Sequence, residues 1–182
     1  RPPRGLAGVV VKFAVIPWDD GTEPYEPDVA RALDRVPDVV FVQRSRGYAP
    51  RPSLDIEAIG EIVQAVRERA PNAAVVVDNC YGEFVEFDEP CAVGSDAVVG
   101  SLIKNPGCGV AVSGSHVAGR QDIVVRVAER VVALGLVAAI GPTLVQNSRV
   151  FSGPHRRPRA VACSRDPQYL AAQSDISLRS LV

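Results

Sequence analysis

Asp78 and Lys104 are the two residues whose types and surroundings most suggest a reaction site. Asp78 ends the apolar run AAVVVD, which is typical of a buried strand, and Lys104 lies in a turn rich in Ser, Asn, Pro and Gly. Chemistry on pyridoxal phosphate (PLP) requires a lysine that forms an imine with the cofactor and an acid that pairs with its pyridinium nitrogen. The stretch from Asp78 to Gly109 therefore predicts a PLP site.

Each of these residues also has an ordinary interpretation. Asp78 could equally be an N-cap or turn aspartate. Lys104 could be a solvated surface lysine, although it follows the apolar pair Leu102 and Ile103 and is one of two lysines in the chain, the other being Lys12. We expect the apolar surroundings to lower the pKa of Lys104 by desolvation, which would free its amine for imine formation.

Further side chains are candidates for the same site. Ser101 could bond a phosphate oxygen, and Tyr81 could line the pocket or act as an acid or base. Arginine binds carboxylates in bidentate geometry, so the loop carrying Arg44, Arg46 and Tyr48 is predicted to hold the carboxylate of an amino-acid substrate. The alternatives are a turn hydroxyl for Ser101, core packing for Tyr81 and a solvated basic loop for the arginine cluster.

Hydrophobic periodicity indicates which elements position these residues. Strands are predicted over 8–17, 39–43, 73–78, 96–101 and 109–114, and the segment HVAG (116–119) as a further strand paired with the last of these. Helices are predicted over 27–35, over 54–70 with Ser53 as the N-cap, and over 121–134. His116, beside a strand, is a candidate pocket residue, although a lone histidine there is more often structural.

The alternation of strands and helices predicts an α/β fold with a mostly parallel sheet and flanking helices. The all-apolar strand over 73–78 indicates burial on both faces of that sheet. Ligand groups in such sheets lie at the carboxyl ends of the strands. Because Arg44, Asp78, Ser101 and Lys104 all follow or end predicted strands, one crevice could collect them.

Composition excludes several classes of function. The 182 residues have a net charge of −1 and no basic region, which argues against nucleic-acid or membrane-surface partners. The apolar runs are too short to span a bilayer. The four cysteines, Cys80, Cys91, Cys108 and Cys163, lack metal-ligand spacing and fit a reduced, cytoplasmic protein, so no metal site is predicted. Because the chain contains no methionine, even at position 1, we expect a fragment or a gene model that has lost its start.

Four segments closely resemble the aluminium-resistance protein family, also described as methionine gamma-lyase-like or cystathionine beta-lyase-like: QRSRGYAPRPS (43–53), VDNCYGEFVE (77–86), EP (89–90) and GSLIKNPGCGVAVSGSHVAG (100–119). This family belongs to the fold-type I PLP enzymes. The resemblance implies that Lys104 is the Schiff-base lysine, Asp78 the partner of the pyridine nitrogen and Ser101 a neighbour of the cofactor phosphate. It also implies a carbon–sulfur lyase that acts on a sulfur-containing amino acid by β- or γ-elimination.

The chain departs from the family pattern at several places. Cys108 replaces a glycine of the usual NPGGG, and His116 replaces the tyrosine of a GGYIAG-like segment. Family members are longer, so residues 1–150 are expected to form part of the PLP-binding large domain and 151–182 a divergent, loosely structured tail. The resemblance implies a homo-oligomer, since such enzymes usually build the site from two subunits. The alternative is a truncated, non-catalytic remnant or an interaction module.

Overall fold

The computed structural model describes residues 26–47, 52–107, 111 and 113–131. The elements follow one another as helix α1 (Glu26–Leu33), strand β1 (Val39–Gln43), helix α2 (Ile56–Arg69), strand β2 (Ala74–Asp78), strand β3 (Ala97–Ser101), strand β4 (Ser115–Gly119) and helix α3 (Gln121–Val131). Two 3-10 helices, Pro90–Val93 and Asn105–Gly107, precede and follow β3. The predicted strand over 8–17, the end of the predicted helix over 121–134 and the proposed tail over 151–182 lie outside the described residues.

The strands form one sheet in the order β1-β2-β3-β4. The first three are parallel, with Asp78 paired to Gln43 on one side and to Val99 on the other. Strand β4 runs antiparallel to β3, with His116 opposite Gly100. This arrangement confirms the predicted α/β class with a mostly parallel sheet and flanking helices.

The prediction that HVAG pairs with a strand over 109–114 was wrong. Strand β4 pairs with β3 instead, while Ala111, Ser113 and Gly114, the described residues of 109–114, lie outside any strand. Gly114 has a φ of 117°, and its carbonyl accepts the Leu102 N–H at 3.0 Å. The chain therefore reverses direction before β4, and an antiparallel partner for β3 needs only such a reversal.

Helix α2 packs against the sheet through apolar residues spaced three and four apart. Ile56, Ile59, Val63 and Val66 are buried. The prediction of Ser53 as the N-cap was wrong, because Asp55 takes that position and its Oδ1 accepts the Ala58 N–H at 2.9 Å. A carboxylate there satisfies an unpaired amide and complements the positive end of the helix dipole.

The core lies between α2 and one face of the sheet. Its buried residues are Leu33, Val42, Leu54, Ile56, Ile59, Val63, Val66, Ala70, Ala73, Val75, Val77 and Val98. The other face of the sheet is more open, because Val39 and Phe41 of β1 are 55% and 60% exposed. Strand β2 accordingly alternates between buried and half-buried residues, so the prediction that it is buried on both faces was wrong.

Asp96, directly before β3, joins the sheet to both neighbouring helices. Its carboxylate accepts hydrogen bonds from Arg67 Nη2 at 2.7 Å, Arg120 Nη1 at 2.9 Å and the Val75 N–H at 2.7 Å. Burial acts to raise the pKa of Asp96, but the bonds from Arg67 and Val75 outweigh it and hold that pKa below the usual range. This network joins the start of β3 to β2, to helix α2 and to Arg120, the residue directly before α3.

Gly60 in the interior of α2 offers a stabilising substitution. A Cβ added there would meet the nearest Val93 atom at 3.5 Å, an ordinary van der Waals contact. Because glycine costs more backbone entropy than alanine in a helix, Gly60→Ala should stabilise the protein by about 0.5–1 kcal/mol. Urea unfolding would measure this as a higher midpoint at an unchanged slope, whereas a lower midpoint would contradict it.

No helix in the described ranges is both long and apolar enough to cross a membrane.

Candidate active site

The carboxyl ends of β2 and β3 bring a carboxylate and an amine to the same edge of the sheet. Asp78 is the last residue of β2, and Lys104 lies in the turn that follows β3. These strands are parallel neighbours, so their carboxyl ends meet at one edge. The structure thus places the two predicted site residues at adjacent strand ends.

Asp78 is held by the start of the following loop. Its Oδ1 accepts the backbone N–H of Cys80 at 3.0 Å, and the side chain is half-buried. One oxygen therefore performs the turn function that the sequence also allowed. The role of Asp78 as a cofactor partner stays a prediction that this position permits.

Lys104 is fixed by backbone bonds and by an aromatic ring. Its N–H donates to the Ser101 carbonyl at 3.1 Å, and its own carbonyl accepts the Gly107 N–H at 3.1 Å. The Nζ atom lies 4.4 Å from the centroid of the Tyr81 ring, within the range of a cation–π interaction. Tyr81 therefore contacts the Lys104 ammonium group directly, while its predicted role in acid–base chemistry stays a prediction.

The expected lowering of the pKa of Lys104 was wrong. A hydrogen bond with the Cys80 side chain raises the pKa of Lys104 above its ordinary value and outweighs desolvation, which acts in the opposite direction. The residue as a whole is only half-buried, so desolvation is too weak to dominate. Lys104 is therefore expected to be an ammonium group at neutral pH. It would have to lose a proton to a base or to solvent before its amine could attack a carbonyl.

Cys80 lies between the two predicted residues, and the sequence assigned it no role. Burial raises the pKa of its thiol, the neighbouring Asp78 raises it further, and Lys104 opposes both. A neutral thiol at this position can bond to the carboxylate and to the ammonium group. Its spacing of two residues from Asp78 was the only signal in the sequence.

The loop over 79–86 contains backbone conformations that are costly for residues other than glycine. Tyr81 has a φ of 67° and Phe84 a φ of 62°. Such residues cost on the order of 1–3 kcal/mol each and persist only where surrounding contacts enforce them. They concentrate at functional sites, which agrees with the contact between Tyr81 and Lys104.

Arg44 makes several of the contacts that hold this loop in its conformation. The side chain is buried, with Nη1 donating to Asn79 Oδ1 at 2.8 Å and to the Gly82 carbonyl at 3.1 Å. Nε donates to the Leu54 carbonyl at 3.1 Å, and Nη2 forms an ion pair with Glu86. These contacts favour a structural role for Arg44, and its assignment to substrate binding stays a prediction.

The remaining predicted site residues are less constrained. Arg46 is exposed, Ser101 is half-buried at the end of β3, and Tyr48 lies outside the described residues. A shallow depression in the described surface is lined by Arg44, Cys80 and Tyr81 among others, beside the predicted site. Among the described residues, no group of three or more His, Cys, Asp or Glu side chains could hold a metal ion.

Known proteins share both the sequence and the fold of this region. The Bacillus subtilis protein YnbB is 41% identical over 145 residues, which are 80% of this chain and 34% of that protein. A Listeria innocua structure, described as a candidate cystathionine beta-lyase involved in aluminum resistance, has a TM-score of 0.80 and 38% identity over 89% of this chain and 40% of its own. A Clostridium novyi carbon-sulfur lyase involved in aluminum resistance has a TM-score of 0.71 and 34% identity over 79% of this chain and 34% of its own.

The chain spans 34% to 40% of the length of these relatives. A family model described as methionine gamma-lyase matches residues 4–174, which is most of the chain. The match includes the described sheet and both residues at its carboxyl edge. This chain therefore belongs to the methionine gamma-lyase family.

Proposed function

We propose that this chain carries the lysine-and-aspartate part of a PLP-dependent carbon–sulfur lyase site that acts on a sulfur-containing amino acid. The observation that supports this most strongly is the placement of Asp78 and Lys104 after adjacent parallel strands, with Cys80 beside both. A related structure is described as a carbon-sulfur lyase, which agrees with this reaction class.

The residues at this edge fit PLP by their chemistry. Lys104 supplies the amine for the cofactor aldehyde, Asp78 supplies a carboxylate for the pyridine nitrogen, and Ser101 at the end of β3 supplies a hydroxyl for the phosphate. When bound, PLP withdraws the electron pair that remains on the substrate Cα after its proton leaves. An amine, a carboxylate and a hydroxyl at adjacent strand ends are the donor set that this cofactor requires.

Lys104 would perform two proton transfers in this scheme. It would first release its ammonium proton to solvent, which would free the amine that holds the cofactor, and it would later accept the Cα proton of the substrate as a general base. The Tyr81 ring, 4.4 Å from Nζ, favours the ammonium form that Lys104 has before the first transfer and after the second. In a β-elimination, the electron pair left on Cα would form the Cα–Cβ double bond, and the sulfur group would leave with the electron pair of the broken carbon–sulfur bond.

Reductive trapping would test this proposal in the full chain. PLP followed by borohydride should attach covalently to Lys104 and not to Lys12, and peptide mass spectrometry would locate the adduct. Since the chain has only two lysines, Lys12→Arg is a matched control that should retain the wild-type yield, whereas Lys104→Arg should lose most of it. Equal labelling of Lys12 and Lys104, or no labelling of either, would contradict the proposal.

A non-catalytic interaction module is the second candidate, and the open face of β1 favours it. Val39 and Phe41 are more than half exposed on that face. Failure of the trapping experiment, together with concentration-dependent association that Phe41→Ser abolishes, would support this alternative. Assembly into a homo-oligomer through this face stays a proposal.

A further inference from the structure

The loop over 79–86 satisfies its buried polar groups with one prominent exception. Asn79 Nδ2 donates to Glu89 Oε2 at 2.6 Å, and the Phe84 N–H donates to Glu89 Oε1 at 2.9 Å. Glu83 in the same loop is only 4% exposed, and neither of its carboxylate oxygens has a hydrogen-bond partner. A buried carboxylate without a partner is energetically costly. Burial therefore favours the protonated, neutral form of this carboxyl group.

His116 is a titratable group that borders the same space beside Gly100 as Glu83. It lies opposite Gly100 in the β3–β4 pair, and its buried Nδ1 also lacks a partner. A Cβ on Gly100 would lie 2.3 Å from His116 Cε1 and 2.4 Å from Glu83 Oε1. The two side chains therefore converge on the space that Gly100 leaves open, with a carboxyl oxygen of Glu83 and the Cε1–Nε2 edge of the imidazole both bordering it.

The electrostatic surroundings favour a proton on this pair. Burial raises the pKa of Glu83 to about 7. The backbone N–H groups of Glu83 and Tyr81 lie close enough to oppose this in part, although neither meets the geometry of a hydrogen bond to the carboxylate. The charge of Glu89 raises the pKa further, and the charge of Lys104 lowers it. Burial lowers the pKa of His116, with Glu89 acting in the opposite direction. Other charged groups at this loop are Arg44, which bonds to the Gly82 carbonyl and pairs with Glu86, and Asp78, which accepts the Cys80 N–H.

A direct connection links Glu83 to the turn that carries Lys104. The backbone carbonyl of Glu83 accepts a hydrogen bond from Asn105 Nδ2 at 3.1 Å, and Asn105 is itself buried. Asn105 follows Lys104 in the sequence, so the loop and the turn are held as one unit. Glu83 and Lys104 therefore keep fixed positions relative to one another. A change in the charge of the Glu83 carboxyl then changes the pKa of Lys104.

We propose that Glu83 is a positioning residue for Lys104, because its carboxyl shares one proton with His116 across Gly100 and loss of that proton holds Lys104 in its ammonium form. The pair accepts or releases this proton to solvent, and no covalent bond changes. While the proton is present, the carboxyl is neutral and Lys104 can release its own proton. The importance of that release rests on the proposed function, whereas the shared proton and its effect on Lys104 do not.

The titration of Lys104 would test the proposal without any cofactor. Reductive methylation with ¹³C-formaldehyde labels Lys12, Lys104 and the terminal amine, and Lys12→Arg identifies the Lys104 signal. In Glu83→Gln, Lys104 should lose its proton at lower pH than in the otherwise unchanged chain, because the neutral amide cannot hold the ammonium group. Glu61→Gln, which removes an exposed carboxylate of α2, should leave the Lys104 titration unchanged.

The histidine titration provides a second, independent measurement. The chain has two histidines, so His155→Gln identifies the His116 ring signals in an NMR spectrum. The His116 signals should respond to a proton lost near pH 7 in the wild-type sequence, and this response should disappear in Glu83→Gln. If Glu83→Gln does not fold, His116→Gln should shift the pH at which the Lys104 signal responds to ionisation of Glu83. An unshifted Lys104 titration would overturn the proposal.

Trapping with PLP separates this inference from the proposed function. Below pH 6, Glu83→Gln and wild type should label Lys104 at the same rate, and at pH 8 the variant should label about three- to tenfold faster, the order expected from one nearby charge. If Lys104 and His116 both respond to Glu83→Gln but PLP labels neither lysine, the result would support the shared proton and contradict the proposed function. If PLP labels Lys104 but the Lys104 and His116 titrations are unchanged in Glu83→Gln, the shared proton would be overturned and the proposed function would stand.

Discussion

Replacing Arg44 by alanine is expected to destabilise the protein by about 3–5 kcal/mol. The guanidinium is 3% exposed and bonds to Asn79, to Glu86 and to the carbonyls of Leu54 and Gly82. Its removal leaves the carboxylate and three buried acceptors without their donor, and each loses the compensation for its desolvation. Chemical denaturation would measure the change as a lower midpoint.

The variant Arg46→Ala is the matched control for that experiment. Arg46 is exposed in the same loop, so its loss should change the free energy of unfolding by less than about 0.5 kcal/mol. Arg44→Lys should recover only part of the loss, since an ammonium group cannot reproduce the planar fork. Wild-type stability in Arg44→Ala would contradict the structural role and favour the predicted substrate-binding role.

Much of the fold could be predicted from the sequence because apolar runs and periodicity determine where elements form. Strand β1 has the predicted bounds, and α2 begins within two residues of its predicted start. The error at the N-cap has a local cause. Ser53 and Asp55 both carry a suitable oxygen, and only the geometry of the helix entry places one of them beside the Ala58 N–H.

The properties of the site depended on contacts that sequence spacing does not determine. The pKa of Lys104 is raised rather than lowered because Cys80, from a different strand end, lies beside it. Arg44 was predicted to bind a substrate because arginine binds carboxylates in bidentate geometry, whereas its burial depends on four partners distant in the sequence, Leu54, Asn79, Gly82 and Glu86. The convergence of Glu83 and His116 requires the pairing of β4 with β3, which the sequence did not predict.

The variant Gly107→Ala should have a large effect on both stability and the site. A Cβ at this position would lie 1.7 Å from the Leu102 carbonyl oxygen and 2.9 Å from the Ala111 Cβ. The first neighbour is backbone, so it cannot move without opening the turn whose Gly107 N–H bonds to the Lys104 carbonyl. We expect a loss of about 3 kcal/mol or more, at the upper end of the range for overpacking.

The same substitution should also displace Lys104, because the turn that holds it would have to open. Labelling of Lys104 by PLP and borohydride should therefore fall in Gly107→Ala under conditions where the protein remains folded by circular dichroism. Gly60→Ala is the matched control, since its added methyl group meets only ordinary contacts and should leave labelling unchanged. If Gly107→Ala kept wild-type stability and labelling, the close approach of Gly107 to Leu102 would not be needed to present Lys104 at the carboxyl edge of the sheet.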